Sequence, residues 1–531
     1  MSSFSRSQVV RKPAVSGAGG LVAAQHRGAA EVGAEVLAAG GDALDAAVAT
    51  SFALGVLEPW MSGPAGGGAM MLWRAEEQKA YCVFYGMRAP AGLDPADYPL
   101  SGGKVSDDLF PWAAVVDDRN VQGATAVAVP GLVDGIGLAH GRFGRLPWRE
   151  LLQPAVGLAR KGLLVDWYAA LMIASATRIL ARDPDAAALF LEDGQWPTIA
   201  GWTALSDKRL DFSRMADTLA EIADKGPREL YDGEVGRALA RDVQAKGGSL
   251  SAADLAAYHA ELQEPLAIPY RGGRVFAAPR LTAGPTLADV LGRLSETLRP
   301  AGKAPDGTAY AAYAAALGAA YEKRLSGMGD TEGAWSGESP EAPACTTHFS
   351  VVDRQGNMAA VTQTLLSSFG ARCVSPSTGL LLNNGIMWFD PEPGRPNSLA
   401  PGKRCLMNVC PVVGESGGAD GRRFALGASG GRKIMPAVAQ LSSFLLDYGM
   451  SLDEAFHQPR IDCSGGPTVV ADEALPAGAL AALTAGHEVV TTKRTVFPYA
   501  FACPAGVLRD AGASWGATEP LSPWGDAVAE A

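Results

Sequence analysis

At 531 residues, 48% of them hydrophobic and 19% charged, the chain can bury a large core, which excludes a disordered protein. A net charge of -11 with no basic run longer than two residues argues against a nucleic-acid or anionic-membrane partner, because phosphate binding needs clustered cations. Seven cysteines at irregular spacing and six histidines, none at ligand spacing from a Cys or a carboxylate, argue against a disulfide framework and a metal site, and no cofactor is expected.

The opening stretch, MSSFSRSQVVRKPAVSG, has no apolar core of signal-peptide length, and no run of about 20 apolar residues occurs, so the expected location is the cytoplasm. Residues 29–55 carry two Ala-rich helical patterns split at Gly40-Gly41, with Asp42 as an N-cap. MSGPAGGGAMMLW (61–73) reads as a Gly-rich turn running into a strand; it lacks the Lys-Ser/Thr of a phosphate loop. Helical patterns follow at about 131–142, 148–161, 165–182, 215–226, 235–247, 285–298 and 308–324, with strand-like runs near 70–85 and 273–278. A polar, Gly- and Glu-rich segment, 327–345, then interrupts the chain.

Beyond it the texture changes. THFSVVD, MAAVTQTL, GLLLNN, VCPVV and RFALGA read as short strands, and IMPAVAQLSSFLLDYG (434–449) as a helix. Helices first and strands later imply either two domains or two halves of one layered α/β structure, the first half having few strands of its own.

Two nucleophiles present themselves. Thr346 heads a strand just after the loose segment. Cleavage of the preceding bond by N→O acyl shift leaves it an α-amine with a reference pKa of roughly 7.7–8.0, able to act as base for its own hydroxyl. The bland reading is β-propensity. GASGG (427–431) satisfies G-x-S-x-G between a strand and a helix, so Ser429 is the rival, with His457 or His487 and Asp447 or Asp453 completing a triad. Its bland reading is a turn whose backbone N–H groups bind an oxyanion without serine chemistry.

The stretches GLVAAQHRGAAEVGAEVLAAGGDALDAAVATSFALGVLEPWMSGPAGGG, AVPGLVDGIGLAHGRFGRLPWRELLQPAVGLARKG (128–162) and LYDGEVGRALARDVQAKGGSLSAADLAAY (230–258) precede TTHFSVVDRQGNMAAVTQTL, GLLLNN, PGKR and GASGG in that order. With them the chain resembles the γ-glutamyltranspeptidase family of N-terminal-nucleophile hydrolases along nearly its whole length. The resemblance implies a precursor cut between Cys345 and Thr346 into a heavy chain, 1–345, and a light chain, 346–531, folded together as αββα layers. It implies Thr346 as nucleophile, Thr364 as the supporting hydroxyl, and Gly430 and Gly431 as the oxyanion hole, which demotes Ser429.

The substrate-binding positions depart from the family. Where it holds a glutamyl ammonium with Asn, Gln and Asp, this chain has Leu366, Gly385 and Trp388; where it holds the carboxylate with two serines, Met407 and Asn408. The family's Arg near the R-x-x-A-P segment is missing, though Arg88 is close by, and Arg432 replaces a small residue after the oxyanion glycines. Loss of the ammonium's partners costs several kcal/mol of binding, by the rough value of charge-assisted hydrogen bonds. The stretch 389–404 is short where many members carry a lid, and it resembles the branch with oxamate amidohydrolase and acylase-like members. The expectation is a self-processing amidohydrolase for a small or acylated amide such as oxamate. A true γ-glutamyl hydrolase or transpeptidase, a serine hydrolase using Ser429, and an uncut binding protein are the alternatives.

Overall fold

The computed structural model describes residues 10–104, 112–199, 207–330, 345–417, 421–464 and 466–531. Of the interrupting segment 327–345, residues 331–344 therefore lie outside the described residues.

Two seven-stranded sheets form the centre, with neighbouring strands antiparallel throughout. The first runs Glu261–Gln263, Lys79–Tyr85, Gly67–Arg74, Met358–Leu366, Cys345–Val352, Leu21–Ala24, Asp526–Ala529. The second runs Val15–Gly17, Ala513–Thr518, Cys503–Asp510, Arg423–Ser429, Val412–Glu415, Gly273–Ala277, Leu266–Tyr270. Met71, Trp73, Ala360, Val413, Ala425 and Val507 belong to one buried cluster that fills the space between them. On the outer side of the first sheet, Val83, Val351 and Val361 pack with Leu44, Val48, Phe52 and Ile136 of the helices Ala43–Leu57 and Leu132–Phe143. Outside the second, Val275, Val412 and Leu426 pack with Leu287, Leu317 and Val438 of the helices Gly284–Thr297, Gly307–Gly327 and Ile434–Asp447. The fold is a four-layer αββα sandwich, and each of the two sheets draws strands from both sides of Thr346.

Local chemistry explains the elements nearest the site. The helix Ala43–Leu57 starts at a capping box, Asp42 accepting from Leu44 and Asp45 while Asp45 accepts back from Asp42. Its small side chains let it lie close to its neighbours: a Cβ on Gly33 would sit 2.3 Å from Thr50 Oγ1. The helix is buried on all sides except near its end, so it reads as Ala-rich rather than amphipathic.

Two expectations are corrected. The first half is not poor in strands; it supplies seven of those in the two large sheets, several too short to show a period of two. The strand-like stretch at 70–85 holds two paired strands, Gly67–Arg74 and Lys79–Tyr85, with the chain turning at Gln78 with φ +50°. GLLLNN is not a strand: it has only an isolated bridge, Val374–Leu381, because Asn383 and Asn384 bond to loops instead of to a sheet. Among the described residues no helix is long and apolar enough to cross a membrane.

Candidate active site

The strand Cys345–Val352 is central in the first sheet, and its register against Met358–Leu366 slips near its start. Cys345 faces Leu366 while Thr347 faces Gln363, so the partner strand carries one extra residue opposite Thr346. The bulge brings two hydroxyls together: Thr346 Oγ1 lies 3.2 Å from Thr364 Oγ1, which also accepts the Leu366 N–H at 2.8 Å. Both threonines are buried. Leu366 takes a φ of +90°, strained for a residue with a branched side chain, and it does so at the edge of the site. Close backbone approach holds the bulge from behind, since a Cβ on Gly66 would lie 2.5 Å from the Thr364 carbonyl.

The GASGG turn closes the same end of the sandwich. Arg423–Ser429 is the strand, Gly430 follows with φ +126° and Gly431 with φ +57°, and the helix from Ile434 begins after one 3-10 turn. A Cβ on Gly430 would meet Ala502 Cα at 2.9 Å, so glycine is required on both conformational and spatial grounds. His348 fixes the two sheets against each other two residues after Thr346. Its ring fills the space a Gly427 side chain would take, and it bonds Thr362 Oγ1 at 2.8 Å and Ser350 Oγ at 3.0 Å. Burial pushes this imidazole down to about 3, so it is neutral and structural.

The predicted serine triad is not assembled. Ser429 Oγ accepts from Gln25 Nε2 at 2.7 Å and lies 3.5 Å from the Cys503 carbonyl. His457 bonds the Asp453 carbonyl, Asp447 is taken by Tyr270, Arg271 and Ser443, and no described hydrogen bond joins a histidine to Ser429. In the stretch GPAGGG the Gly66 carbonyl accepts from the Gly131 and Leu132 N–H groups, capping a helix.

The residues expected in the substrate pocket separate into three groups. Leu366, Trp388 and Met407 are buried in the inter-sheet apolar cluster together with Met87 and Phe389. Gly385 is wedged behind them, where a Cβ would lie 2.7 Å from Ala128 Cβ, so no side chain projects from it. Asn408 and Arg432 line one small cavity with Trp112, Tyr321 and Leu406. There Arg324, buried, donates to the Met407 carbonyl at 2.8 Å and to Asn408 Oδ1 at 3.1 Å. Arg432 is 3% exposed, so it is no surface residue. Arg88 is elsewhere: it lines a separate cleft of about 840 Å³ with Arg280, Arg404, Glu261 and Asp330, and Met328 lines both spaces. The short stretch 389–404 is tied down by Asp390–Arg395 at 2.9 Å and Asn397 Nδ2 to the Trp388 carbonyl at 2.6 Å.

Residues not foreseen from the sequence lie on the far side of Thr347. Its hydroxyl lies 2.9 Å from Glu58 Oε2 and 3.4 Å from Gln25 Oε1. Burial pushes the Glu58 carboxyl up to about 7. The available signal was a lone acid in the apolar run GVLEPW. Asn383 and Asn384 likewise prove to be braces: Asn383 donates to the carbonyls of Ala65 and Ala128, and Asn384 to Val121 and Ser367. Among the described residues no group of three or more His, Cys, Asp or Glu is placed to hold a metal ion.

Two antiparallel sheets packed face to face with helices on both outer sides form the αββα architecture of the N-terminal-nucleophile hydrolases. The fold is that of a cephalosporin acylase from Bacillus halodurans, with a TM-score of 0.84 over 99% of this chain and 98% of that one at 24% identity. The family model for Gamma-glutamyltranspeptidase matches residues 29–339 and 331–523. The chain is 37% identical over 515 residues to the Acylase ACY 1 proenzyme of Pseudomonas sp. (strain V22), covering 91% of this chain and 89% of the relative. It is 30% identical over 524 residues to the Glutathione hydrolase proenzyme of Bacillus subtilis (strain 168), covering 90% and 86%. The chain belongs to the gamma-glutamyltranspeptidase family, whose members act on amide C–N bonds and are characteristically self-processed.

Proposed function

We propose that this protein cuts itself between Cys345 and Thr346 and then hydrolyses a small or acylated amide, such as oxamate, in preference to glutathione. In the first event Thr346 Oγ attacks the Cys345 carbonyl carbon, the C–N bond breaks, and water hydrolyses the resulting ester. Residues 1–345 and 346–531 remain together as heavy and light chains because both sheets interleave their strands.

The liberated α-amine is the base for the second event. It takes the proton from Thr346 Oγ as that oxygen attacks the substrate carbonyl, and passes it to the departing amine. Thr364 Oγ, 3.2 Å from the nucleophile, orients it. The N–H groups of Gly430 and Gly431 receive the oxyanion, where one donor is typically worth about 10²–10³ in rate. Water then breaks the acyl ester and releases the acid.

The observation that carries the choice of substrate is the apolar company of Leu366, Trp388 and Met407, which offer no carboxylate or amide to a glutamyl ammonium. The acylase name of a 37% identical relative supports it. A carboxylate on the substrate has two candidate receivers, Arg432 beside Asn408 and Arg88 in its own cleft. The γ-glutamyl alternative draws on the first of these, a buried guanidinium two residues from Gly430.

The test is a denaturing gel with amino-terminal sequencing of purified protein, followed by a panel of oxamate, N-acyl amides and a γ-glutamyl anilide. Two fragments, one starting Thr-Thr-His-Phe, and turnover of the first two classes are expected. A single uncut active band refutes the nucleophile; faster turnover of the γ-glutamyl anilide refutes the substrate.

A further inference from the structure

Glu58 stands where the helix Ala43–Leu57 ends, its N–H bonded to the Leu54 carbonyl at 2.8 Å. It is 3% exposed, and its surroundings bring burial and one hydroxyl but no cation among the described residues. The helix C-terminus next to it disfavours a negative charge as well.

The hydrogen-bond count around its partner is informative. Gln25 Nε2 lies 2.6 Å from the Cys503 carbonyl and 2.7 Å from Ser429 Oγ. A carbonyl only accepts, so the amide nitrogen must face it, and Gln25 Oε1 must face Thr347. The Thr347 hydroxyl then meets two oxygens, Glu58 Oε2 at 2.9 Å and Gln25 Oε1 at 3.4 Å, with a single hydrogen. Both contacts are made only if the carboxyl is itself a donor. A protonated Glu58 gives to Thr347, Thr347 gives to Gln25, and Gln25 gives to Ser429 and to Cys503, every step in one direction.

We propose that Glu58 is a positioning residue that keeps a proton in the working protein and, through Thr347 and Gln25, locks the backbone beside the nucleophile to the turn bearing Gly430 and Gly431. The string joins the strand after Thr346 to the last residue before the oxyanion glycines, two parts of the site that no single element connects. Loss of the proton turns the Thr347 hydrogen to the carboxylate and leaves Gln25 Oε1 without a donor. Burial places that loss near pH 7. The titratable groups facing Glu58 are the Tyr499 hydroxyl, itself bonded to Tyr168, and the Cys503 thiol, with Glu519, Arg460 and Lys12 beyond it. Burial pushes both the Tyr499 hydroxyl and the Cys503 thiol up, so neither carries a charge across this window.

The proposal rests on Thr346 as nucleophile, and the experiment separates the two. An N-acyl p-nitroanilide is assayed from pH 5 to 10 with the wild-type protein and with Glu58→Gln, Glu58→Leu and Thr346→Ala. Gln keeps a donor toward Thr347 and cannot ionise, so E58Q should hold wild-type kcat at pH 6.5 to within about threefold and lose the fall in rate expected of the wild type above pH 7. E58L should lose about tenfold or more in kcat with KM unchanged, having no donor to give. If E58Q retains the wild-type alkaline fall, or drops as far as E58L, the positioning role is overturned. Should E58L fail to fold, the E58Q profile alone decides. Activity surviving in T346A overturns the nucleophile, and this proposal with it; inactivity of T346A with an unshifted E58Q profile overturns this proposal alone.

Discussion

Replacing Thr364 by Val tests the centre of the site at nearly constant shape. The side chain is fully buried, so Val leaves no cavity and the change is confined to one hydroxyl. That hydroxyl accepts from Leu366 N at 2.8 Å and from Thr346 Oγ1 at 3.2 Å. Leaving the buried Leu366 N–H without an acceptor costs about 1–3 kcal/mol, and the lost neutral bond to Thr346 about 0.5–1.5 kcal/mol. T364V is therefore expected to be destabilised by about 2–4 kcal/mol and, with the nucleophile released from its partner, slowed by about ten- to a hundredfold. Thr364→Ser keeps the oxygen and loses one methyl, worth about 1 kcal/mol. Urea unfolding followed by tryptophan fluorescence and steady-state hydrolysis measure both quantities. If T364V and T364S are indistinguishable in stability and in kcat, the bulge does not hold the nucleophile and the reasoning fails.

Acid should weaken the fold through His348. Its pKa falls from 6.5 to about 3 on folding, so the neutral ring contributes stability above pH 6.5 that is lost as pH drops, about 2 kcal/mol by pH 5. Glu58, raised from 4.5 to about 7, works in the opposite sense, its contribution present below pH 4.5 and lost as pH rises to 7, so the wild-type protein alone will look nearly flat. The stability difference between wild type and His348→Gln isolates the ring; a difference that does not shrink between pH 7 and pH 5 contradicts the assignment. Gly430→Ala forces a Cβ to within 2.9 Å of Ala502 Cα at φ +126°, and should reduce kcat by about 10²–10³ while the protein still folds; wild-type turnover would remove the turn from the mechanism. Arg324→Met withdraws the donor shared by the Met407 carbonyl and Asn408, and KM should rise about tenfold with self-cleavage intact. Unchanged KM would place the substrate away from those residues. On a gel, Thr346→Ala should stay whole and Ser429→Ala should be cut; the reverse pattern restores the serine reading.

Much of the local structure is written in neighbouring residues. Asp42, Asp166 and Asp306 each cap the helix that follows, and a cap needs only residues two or three places away. GASGG likewise became the strand, glycine turn and helix that its composition implied, because positive φ restricts the choice of residue locally. The pairing of Thr346 with Thr364 spans 18 residues across adjacent strands, short enough to be carried by motif order. Tertiary structure alone decided the rest. The donors and acceptors around Thr347 come from Gln25 and Glu58, 322 and 289 residues away, and nothing in the period of either segment announces that they meet. It also sent Leu366, Trp388 and Met407 into one apolar wall, and put Arg88 and Arg432 into different spaces. The physical reason is range: backbone conformation answers to a few adjacent side chains, whereas burial and the partners of a buried polar group depend on which distant layers close over it.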